Sequence, residues 1–459
     1  MPATEEIVEL GTGLKQIAAD VVARAMKAGA SSADAIARDG NEFSTLVRLG
    51  QVETLKESGA RALGLRVFVG KRAAATHTSD FSREGVDLLV SSAITLARTT
   101  SEDPHAGLPD SELLGSLKED LDLYYADVYS LSTADRIDYA KRTEAAALAV
   151  DARITNSEGG SFDAATGYKV LANSLGFVGE YRRSYCSVSA VPIAQLPETA
   201  MQRDYWYSAS RTLQKLDSPE DVGRKAAERT LRRLGAKKVS TQKVPIVFDP
   251  MVSRGLIDHL FDAVNGDSIY RHASFLAGKL GEQVAGENIT IVDDGTMRGG
   301  FGSSPFDGEG VPTRRTVVIE RGVLKSYLLN TYTARKLGLK TTGNAARGLT
   351  GNPGIGSGNF YLQPGETTPQ EILRGIRSGL YVTEFLGFGV NLVTGDFSRG
   401  ASGLWIENGE LTYPVEEITV AGNLKEMFRN ISAIGNDLEF RSSIAAPTIR
   451  IDGMTVAGE

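Results

Sequence analysis

Apolar positions recurring every three to four residues mark four stretches in the first half of the chain. The stripe that includes Leu14 predicts a helix that Gly29 ends. The predicted helices cover residues 5–28, 82–98, 133–150 and 219–234. Ser132, and Ser218 ahead of Pro219, stand where N-caps are expected, because serine hydroxyl groups accept bonds from the first free N–H groups of a helix.

Short runs rich in β-forming residues fill the spaces between these helices. They cover residues 33–38, 43–49, 52–58 and 60–69 after the first helix, and 152–158, 162–173, 176–190 and 205–212 after the third. Gly40, Gly50, Gly59 and Gly70 punctuate the first set at nearly even spacing, as the turns of a meander do. The order of elements predicts two helix–four-strand–helix units, joined by an acidic loop at residues 101–130.

Extended runs dominate beyond a polar linker at residues 235–243. Val244–Phe248 predicts a strand, and Met251–Val264 predicts a helix. Hairpins are predicted at Arg321–Gly322 and at Asn408–Gly409, the second of which supplies two residues that tolerate positive φ. The second half of the chain is therefore predicted to be mostly β.

The period of two around the second hairpin predicts a half-buried strand. Leu404 and Ile406 would face one way and Trp405 and Glu407 the other. A further strand is predicted after Pro414, from Val415 to Ala421.

A glycine-dense segment, Thr342–Asn359, has almost no apolar residues. A phosphate-binding loop is one interpretation, but the segment lacks the lysine of a P-loop and opens no helix. The composition favours a mobile surface loop or lid.

Length and composition limit the classes of protein that the chain can form. At 459 residues it is too long for one core, so we predict an α+β protein with an N-terminal α/β domain at residues 1–238 and a C-terminal β-rich domain at 239–459. A net charge of −7 argues against a general nucleic-acid binder, and no apolar run is long enough to span a membrane. The acidic N-terminus lacks the features of a secretory signal, and the single Cys186 fits a reducing cytoplasm, so we expect a cytoplasmic protein.

Several strings carry a resemblance to a known family. GVNLVTGDFSRGASGLWIENGELTYPVEEITVAGN (389–423), VDDGT (292–296), DGEGVP (307–312) and MQRDYWYS (201–208) resemble the TldD/PmbA family of bacterial metalloprotease subunits, in its PmbA (TldE) branch. The resemblance covers nearly the whole chain. It implies an α/β N-terminal half, a β-barrel-like C-terminal half, and a metal-bearing TldD-like partner that cleaves unfolded or small modified peptides.

The predicted helix at residues 251–264 departs from the metal-bearing branch. In that branch the helix resembles His-Glu-x-x-x-His, whose imidazoles bind zinc while the glutamate acts as a general base. The corresponding positions here are Ile257, Asp258 and Asp262. Residues 431–456 also lack the cysteine ligand that the resemblance leads us to expect. A site built from Asp258, Asp262, His259 and His272 is the alternative; we predict no catalytic residue, metal or cofactor in this chain.

Residues outside this helix are also candidates for a functional site, because of their chemical type and their position in the sequence. Arg203, Trp206, Asp396, Phe397, Ser398 and Arg399 are candidates for binding a substrate or partner. For the arginines the alternative is a surface ion pair, for Trp206 it is core packing, and for Asp396 and Ser398 it is a turn role. Ser398 and Ser402 lie in no G-x-S-x-G elbow, and Cys186 lies in an apolar strand, which favours a buried structural thiol.

The resemblance, together with the missing zinc motif, implies a non-catalytic subunit of a TldD/TldE-type heteromeric zinc metalloprotease. Its partners would be the zinc-bearing TldD-like subunit and a peptide or unfolded protein, with no nucleic acid and no membrane. One alternative is a homomeric peptide-binding or regulatory protein without proteolysis, in which the chain alone forms a homodimer. Another is an independent hydrolase that uses Asp258, His259 and Asp262.

Overall fold

A computed structural model of the chain describes residues 3–197 and 201–458, with side chains from Gly13 onward. Its helices are α1 (Ala3–Lys27), α2 (Arg83–Thr99), α3 (Thr133–Leu148), α4 (Pro219–Leu231), α5 (Pro250–Val264), α6 (Gly266–Tyr270), α7 (Thr331–Leu337), α8 (Pro369–Arg374) and α9 (Leu424–Arg429). The first five lie where the apolar period predicted them. Ser132 and Ser218 are the predicted N-caps, and each hydroxyl group accepts a backbone N–H bond three residues further on.

The strands of the N-terminal half form one antiparallel sheet. They are β1 (Ser32–Arg48), β2 (Gln51–Val69), β3 (Arg72–Thr78), β4 (Ile154–Asn173), β5 (Val178–Ala194), β6 (Gln202–Arg203) and β7 (Trp206–Ser210). Their order is β3-β2-β1-β4-β5-β6, with β7 also paired to β5. The two predicted units therefore share a single sheet, with β1 and β4 adjacent at its centre.

Several predicted strand boundaries were wrong, because two glycines lie inside strands instead of in turns. Gly40 pairs with Ala60, and Gly59 with Asn41, in a continuous β1–β2 ladder. A Cβ atom at Gly40 would lie 2.6 Å from the Thr166 carbonyl oxygen, so glycine there permits close approach of β4. Pairs of predicted strands merge into the single long strands β1, β2 and β4, and β3 was not predicted. The first unit therefore has three strands instead of four.

The two faces of this sheet have different neighbours. Ala33, Ala35 and Ala37 of β1 lie in a core with residues of α1 and α2. Ile36, on the opposite face, packs with Leu171 and with Phe306 of the C-terminal half. The period of two along β1 thus separates a helix-covered face from a face directed at the second half of the chain.

The C-terminal half contains a closed barrel. Its strands are β8 (Gln242–Phe248), β9 (Ile291–Asp294), β10 (Arg315–Glu320), β11 (Val323–Leu324), β12 (Ala345–Ala346), β13 (Gly354–Ile355), β14 (Phe360–Leu362), β15 (Ser378–Leu386), β16 (Asp396–Glu407), β17 (Glu410–Asn423), β18 (Ile431–Ile434), β19 (Ile444–Ala445) and β20 (Ile449–Ala457). The order β17-β16-β15-β8-β20 is closed by pairing of β17 with β20. The α+β class and the barrel-like second half are confirmed; the division at residues 238/239 remains a prediction.

The hairpin between β16 and β17 confirms one prediction and corrects two. Asn408 and Gly409 both have positive φ, as a tight hairpin turn requires. The predicted half-buried strand is wrong, because Leu404, Trp405 and Ile406 are all buried and the strand is covered on both faces. The separate strand predicted after Pro414 is also wrong, since β17 runs unbroken through that residue.

The glycine-dense segment is a packed contact and not a mobile surface loop. Asn344, Arg347 and Asn359 within it are buried. A Cβ atom at Gly64 of β2 would lie 2.2 Å from the carbonyl oxygen of Leu349, so the segment touches the backbone of the N-terminal sheet. The composition gave no sign of this contact, because the partner surface lies almost 300 residues away in sequence.

A buried ionic cluster links the same segment to the sheet. The Asp34 carboxylate pairs with Arg66 at 2.5 Å and with Arg347, and all three side chains are buried. Burial by itself would raise the pKa of Asp34, but the charges of Arg347 and Arg66 outweigh it and lower that pKa. Removing one partner would leave an unpaired buried charge, so the cluster fixes the docking of the two halves.

Candidate functional site

Helix α5 occupies the position at which the metal-bearing branch was expected to hold its ion. Asp249 caps its N-terminus by accepting the Met251 N–H. The helix contacts β8 and β15 of the barrel on one side, and β14 and β19 of the neighbouring sheet on the other. Ile257 is fully buried in the core between them. Its side chain offers no electron pair, so the first expected ligand position is occupied by core packing.

The two aspartates of α5 lie in different environments. Asp258 is exposed, whereas Asp262, one turn later, is half-buried. Burial raises the pKa of Asp262, and the negative charge of Asp258 adds to this rise. Within the ranges 3–197 and 201–458, no group of three or more His, Cys, Asp or Glu side chains is placed to hold a metal ion.

His259 is the residue of α5 with the most distinctive surroundings. Its ring is half-buried and meets the edge of the Phe397 ring at a centroid distance of 6.4 Å. The buried Nε2 atom has no hydrogen-bond partner among the described residues. Burial lowers the pKa of His259 and the charge of Arg399 lowers it further, while Asp258 opposes both. The imidazole is therefore held in its neutral form.

The segment at residues 396–399 is divided between a turn and the core. The Asp396 carboxylate accepts bonds from the Thr394 hydroxyl (2.6 Å) and the Asn423 amide (3.0 Å), which lower its pKa. Asp396 therefore has the turn role weighed for it, whereas Ser398 is an exposed residue of β16 that pairs with Ala421. Phe397 is buried in the barrel core, a structural position that its sequence context did not reveal.

Arg399 connects this segment to the middle of α5. Its guanidinium group lies 4.9 Å from the centroid of the Phe385 ring and donates a 2.8 Å bond to the Gly387 carbonyl oxygen. The fold thus brings Arg399, Phe397 and His259 together, although more than 130 residues separate them in sequence. The structure places His272 outside this group: it is exposed, has a φ of +55°, and follows α6.

Trp206 lies beside the start of α5, and Arg203 lies on β6. Arg203 forms a two-bond ion pair with Glu158, at 2.7 and 2.8 Å, and both side chains are exposed. Trp206 is half-buried, with the guanidinium carbons of Arg441 and Arg229 at 4.3 and 5.3 Å from its ring. A small cavity of about 190 Å³ joins Trp206 to the first turn of α5. Trp206 therefore lies at the N-terminal end of α5, whereas Phe397 and Arg399 lie near His259 in the middle of the helix.

Cys186 is buried on β5, and its thiol contacts the Ser210 carbonyl oxygen at 3.5 Å. Burial raises the pKa of this thiol to about 12, with a smaller contribution from Asp127. A thiol in this state is a poor nucleophile, and the predicted buried position is confirmed.

Sequence reasoning missed a set of buried acids in the C-terminal half. Asp293 accepts a 2.7 Å bond from the Asn344 amide, and burial raises its pKa to about 7. Burial also raises the pKa of Asp307 to about 7, helped by the neighbouring Glu309 and opposed by three backbone N–H bonds. Both acids lie in strings that carried the family resemblance, VDDGT and DGEGVP, but nothing in those strings shows that the carboxyl groups are buried.

Two larger cavities, of about 670 and 710 Å³, lie between the N-terminal sheet and the C-terminal half. The second cavity is bounded by the helix-free face of β1, β2, β4 and β5 and, on the other side, by residues that include Phe301 and Arg347. Neither cavity is lined by a residue of α5. Both lie in the size range of ligand pockets.

The chain matches known domains over most of its length. Residues 33–97, 126–234 and 241–458 match, in turn, domain 1, the central domain and the C-terminal domain of the PmbA/TldA metallopeptidases. Metalloprotease PmbA of Escherichia coli O157:H7 is 42% identical over 91% of this chain and 90% of its own length. A PmbA homologue of Haemophilus influenzae is 39% identical over 97% and 96%.

Solved structures agree with these matches. A putative modulator of DNA gyrase from Bacteroides thetaiotaomicron has a TM-score of 0.90 at 31% identity, covering 97% of this chain and 99% of that one. TldE from Thermococcus kodakarensis shares the fold, with a TM-score of 0.86 at 21% identity over 96% of this chain and 99% of its own. The sheet, the barrel and α5 therefore define a metallopeptidase-type scaffold.

The chain belongs to the PmbA/TldD family, and the relatives from Escherichia coli and Haemophilus influenzae, which each match more than nine-tenths of it, carry the name PmbA. No helix within the described ranges is both long and apolar enough to cross a membrane.

Proposed function

We propose that the chain is the non-catalytic subunit of a TldD/TldE-type heteromeric zinc metalloprotease, acting in the cytoplasm. The observation that carries this proposal is the composition of α5. Its zinc-motif positions are a core isoleucine, an exposed aspartate and a half-buried aspartate with a raised pKa.

The donor set does not fit a catalytic zinc ion. Such an ion takes three protein ligands, most often with imidazole among them, and keeps one position for water. Ile257 cannot be a ligand, and no group of three or more His, Cys, Asp or Glu side chains in the described part of the chain is placed to hold a metal ion. His259 points its unpartnered Nε2 toward a buried region beside Phe397, and the charge of Arg399 there would repel a cation. No catalytic step is assigned to α5 for this reason.

In the complex, this chain would form part of the path that the substrate follows to the active site. The zinc ion would be bound by the TldD-like partner, and the substrates would be unfolded proteins and small modified peptides. Strand β3 is an edge of the seven-stranded sheet, paired on one side with β2. An edge strand can bind an extended peptide through backbone bonds, which gives affinity without requiring a particular sequence.

An exposed apolar patch beside Arg399 supports contact with a partner subunit. Phe388 is fully exposed, and Leu386 and Val393 are 48% and 56% exposed. Exposed apolar side chains near one another are typical of interaction surfaces. Trp206, beside the start of α5, and Arg203, on β6, are further candidate contacts for the partner or the peptide.

The proposal is tested by assaying this chain alone, the TldD-like subunit alone, and an equimolar mixture on an unfolded peptide. The expected result is hydrolysis by the mixture only. Replacing Asp262 by Ala should leave the rate of the mixture within about twofold, whereas a hydrolase built on Asp262 would lose it. Gel filtration distinguishes the homomeric alternative: elution as a lone homodimer in the presence of the TldD-like subunit would contradict the heteromeric proposal.

A further inference from the structure

The helix-free face of the N-terminal sheet carries cations, Arg38, Lys169 and Arg183, that form no ion pair with a carboxylate of the described residues. Arg38 of β1 and Lys169 of β4 are directly opposite each other in the antiparallel ladder. Like charges at such positions repel each other, with Cβ atoms about 5 Å apart. Lys169 makes no hydrogen bond or ion pair with a described residue, and Arg38 donates only to the Arg347 carbonyl oxygen.

Two more cations line the same cavity of about 710 Å³. Arg183 of β5 has no ion pair within the described ranges, and Arg211 donates to the carbonyl oxygens of Ser184, Gly300 and Phe301. Burial lowers the pKa of Lys169 and of Arg38, and the charge of Arg183 lowers both further, so the groups act on one another.

The acids around the cavity leave most of this charge uncompensated. Asp39 is paired with Arg61 at 2.7 Å. The Asp307 carboxyl accepts backbone bonds from Glu309, Val311 and Ala345, and its pKa is raised. Glu42 is exposed at the edge of the cavity. A cluster of cations with so little compensation costs free energy in the empty protein, and an anionic ligand would recover it.

The floor of the cavity is shaped like a trough. Neighbouring positions across four strands are Ala60, Gly40, Gly167 and Arg183, in that order. This row of small residues lies beside the row that holds Arg38, Lys169 and Tyr181. An extended backbone can lie in the trough, since no side chain longer than a methyl group rises from the floor before Arg183.

We propose that this cavity binds an extended peptide through a carboxylate group, held by Lys169, Arg38 and Arg183. The volume exceeds the needs of a small inorganic anion, and Tyr181, Tyr185 and Phe301 supply apolar walls for neighbouring residues of a peptide. The site is separate from α5 and deepens the proposed function, because it specifies acidic peptides or peptide C-termini as the ligand class. Binding to this chain alone can be measured whether or not the chain takes part in proteolysis.

The test is isothermal titration of the full chain with three pentapeptides: a neutral alanine peptide with both ends blocked, the same peptide with a free C-terminal carboxylate, and a blocked peptide with one glutamate. We expect at least one carboxylate peptide to bind about tenfold or more tighter than the neutral one, and less tightly as salt is raised. The two carboxylate peptides distinguish a C-terminal group from a side chain. Equal binding of all three, or equally tight binding of inorganic phosphate, would overturn the proposal.

Lys169→Met removes the charge while keeping an unbranched chain, and Lys141→Met is the matched control on the exposed face of α3. Lys169→Met should lose about tenfold in carboxylate binding, Lys169→Arg should retain it, and Lys141→Met should have no effect. Lys169→Met should also melt at the same or a higher temperature than the parent, because a repulsion with Arg38 is removed. Unchanged carboxylate binding by Lys169→Met would contradict a binding role for Lys169. A clear loss of stability in this variant would show that Lys169 has a structural role instead.

Discussion

At the scale of single residues, the state of His259 depends on both burial and a charge that is remote in sequence. The sequence alone could not show whether His259 is a metal ligand or a core residue, because the side chains around it, Phe397 and Arg399, lie on β16, far away in sequence. Ile257 was different: an isoleucine excludes metal binding by its chemistry alone, so that part of the site could be predicted from sequence.

Replacing Arg399 by Gln should raise the pKa of His259 toward its ordinary value of 6.5, because one of the two causes that lower it is removed. An NMR titration of the His259 ring measures this directly. Arg203→Gln is the control, since Arg203 is paired with Glu158 at the surface. A pKa that stays the same or falls in Arg399→Gln would contradict the electrostatic account.

The raised pKa of Asp293 should make the stability of the chain depend on pH. Its folded-state pKa of about 7 lies above the ordinary value of 3.8, so the unfolded chain releases this proton first as pH rises. The stability that this carboxyl group contributes is present below about pH 4 and is lost between there and about pH 7. Asp293→Asn cannot ionise, so its stability relative to the parent should rise by about 2 kcal/mol between pH 5 and pH 8.

Urea unfolding at the two pH values checks this change. Asp396→Asn is the control: the folded-state pKa of Asp396 is lowered, so both states are ionised throughout that range and no gain is expected. A constant difference between Asp293→Asn and the parent would show that Asp293 does not titrate as described.

At the scale of elements, patterns within one segment were predicted well and contacts between segments were not. The helices α1 to α5, the serine caps of α3 and α4, and the Asn408–Gly409 turn depend on neighbouring residues, and they were found from the sequence; the short helices α6 to α9 were missed. The turns expected at Gly40 and Gly59 were wrong, because both glycines lie within strands and contact residues of a neighbouring strand closely. The docking of residues 342–359 on the N-terminal sheet could not be predicted for the same reason.

Gly64→Ala tests that docking. The new Cβ atom would lie 2.2 Å from the Leu349 carbonyl oxygen, so the backbone must shift at a cost of about 1–3 kcal/mol. Gly255→Ala, in the middle of α5 with open space around it, should instead stabilise the chain by up to about 1 kcal/mol. Chemical unfolding of both variants measures the contrast. Equal stability of Gly64→Ala and the parent would mean that the segment does not press on β2.

At the scale of the whole molecule, the closed barrel and the shared sheet place α5 inside a scaffold whose relatives include proteins named metalloproteases. The barrel was expected only from the family resemblance, because closure depends on β17 meeting β20 at the end of the chain. Under the proposed function, activity at this scale requires a partner subunit, which the exposed patch around Phe388 is proposed to contact.

Phe388→Asp should weaken binding to the TldD-like subunit by about tenfold or more, because a charge replaces a side chain that the interface would bury. Its melting temperature should not change, since Phe388 is fully exposed in the isolated chain. Leu88→Asp, at an exposed apolar position on α2, is the control and should bind normally. Normal binding by Phe388→Asp would remove this patch from the interface.

The central claim is that α5 holds no catalytic ion. It is tested most directly by a crystal of this chain alone, soaked in zinc and measured at the zinc absorption edge. We expect no anomalous peak beside residues 257–262. A peak coordinated by Asp258 and Asp262 or His259, together with peptide hydrolysis by the same preparation, would contradict the claim.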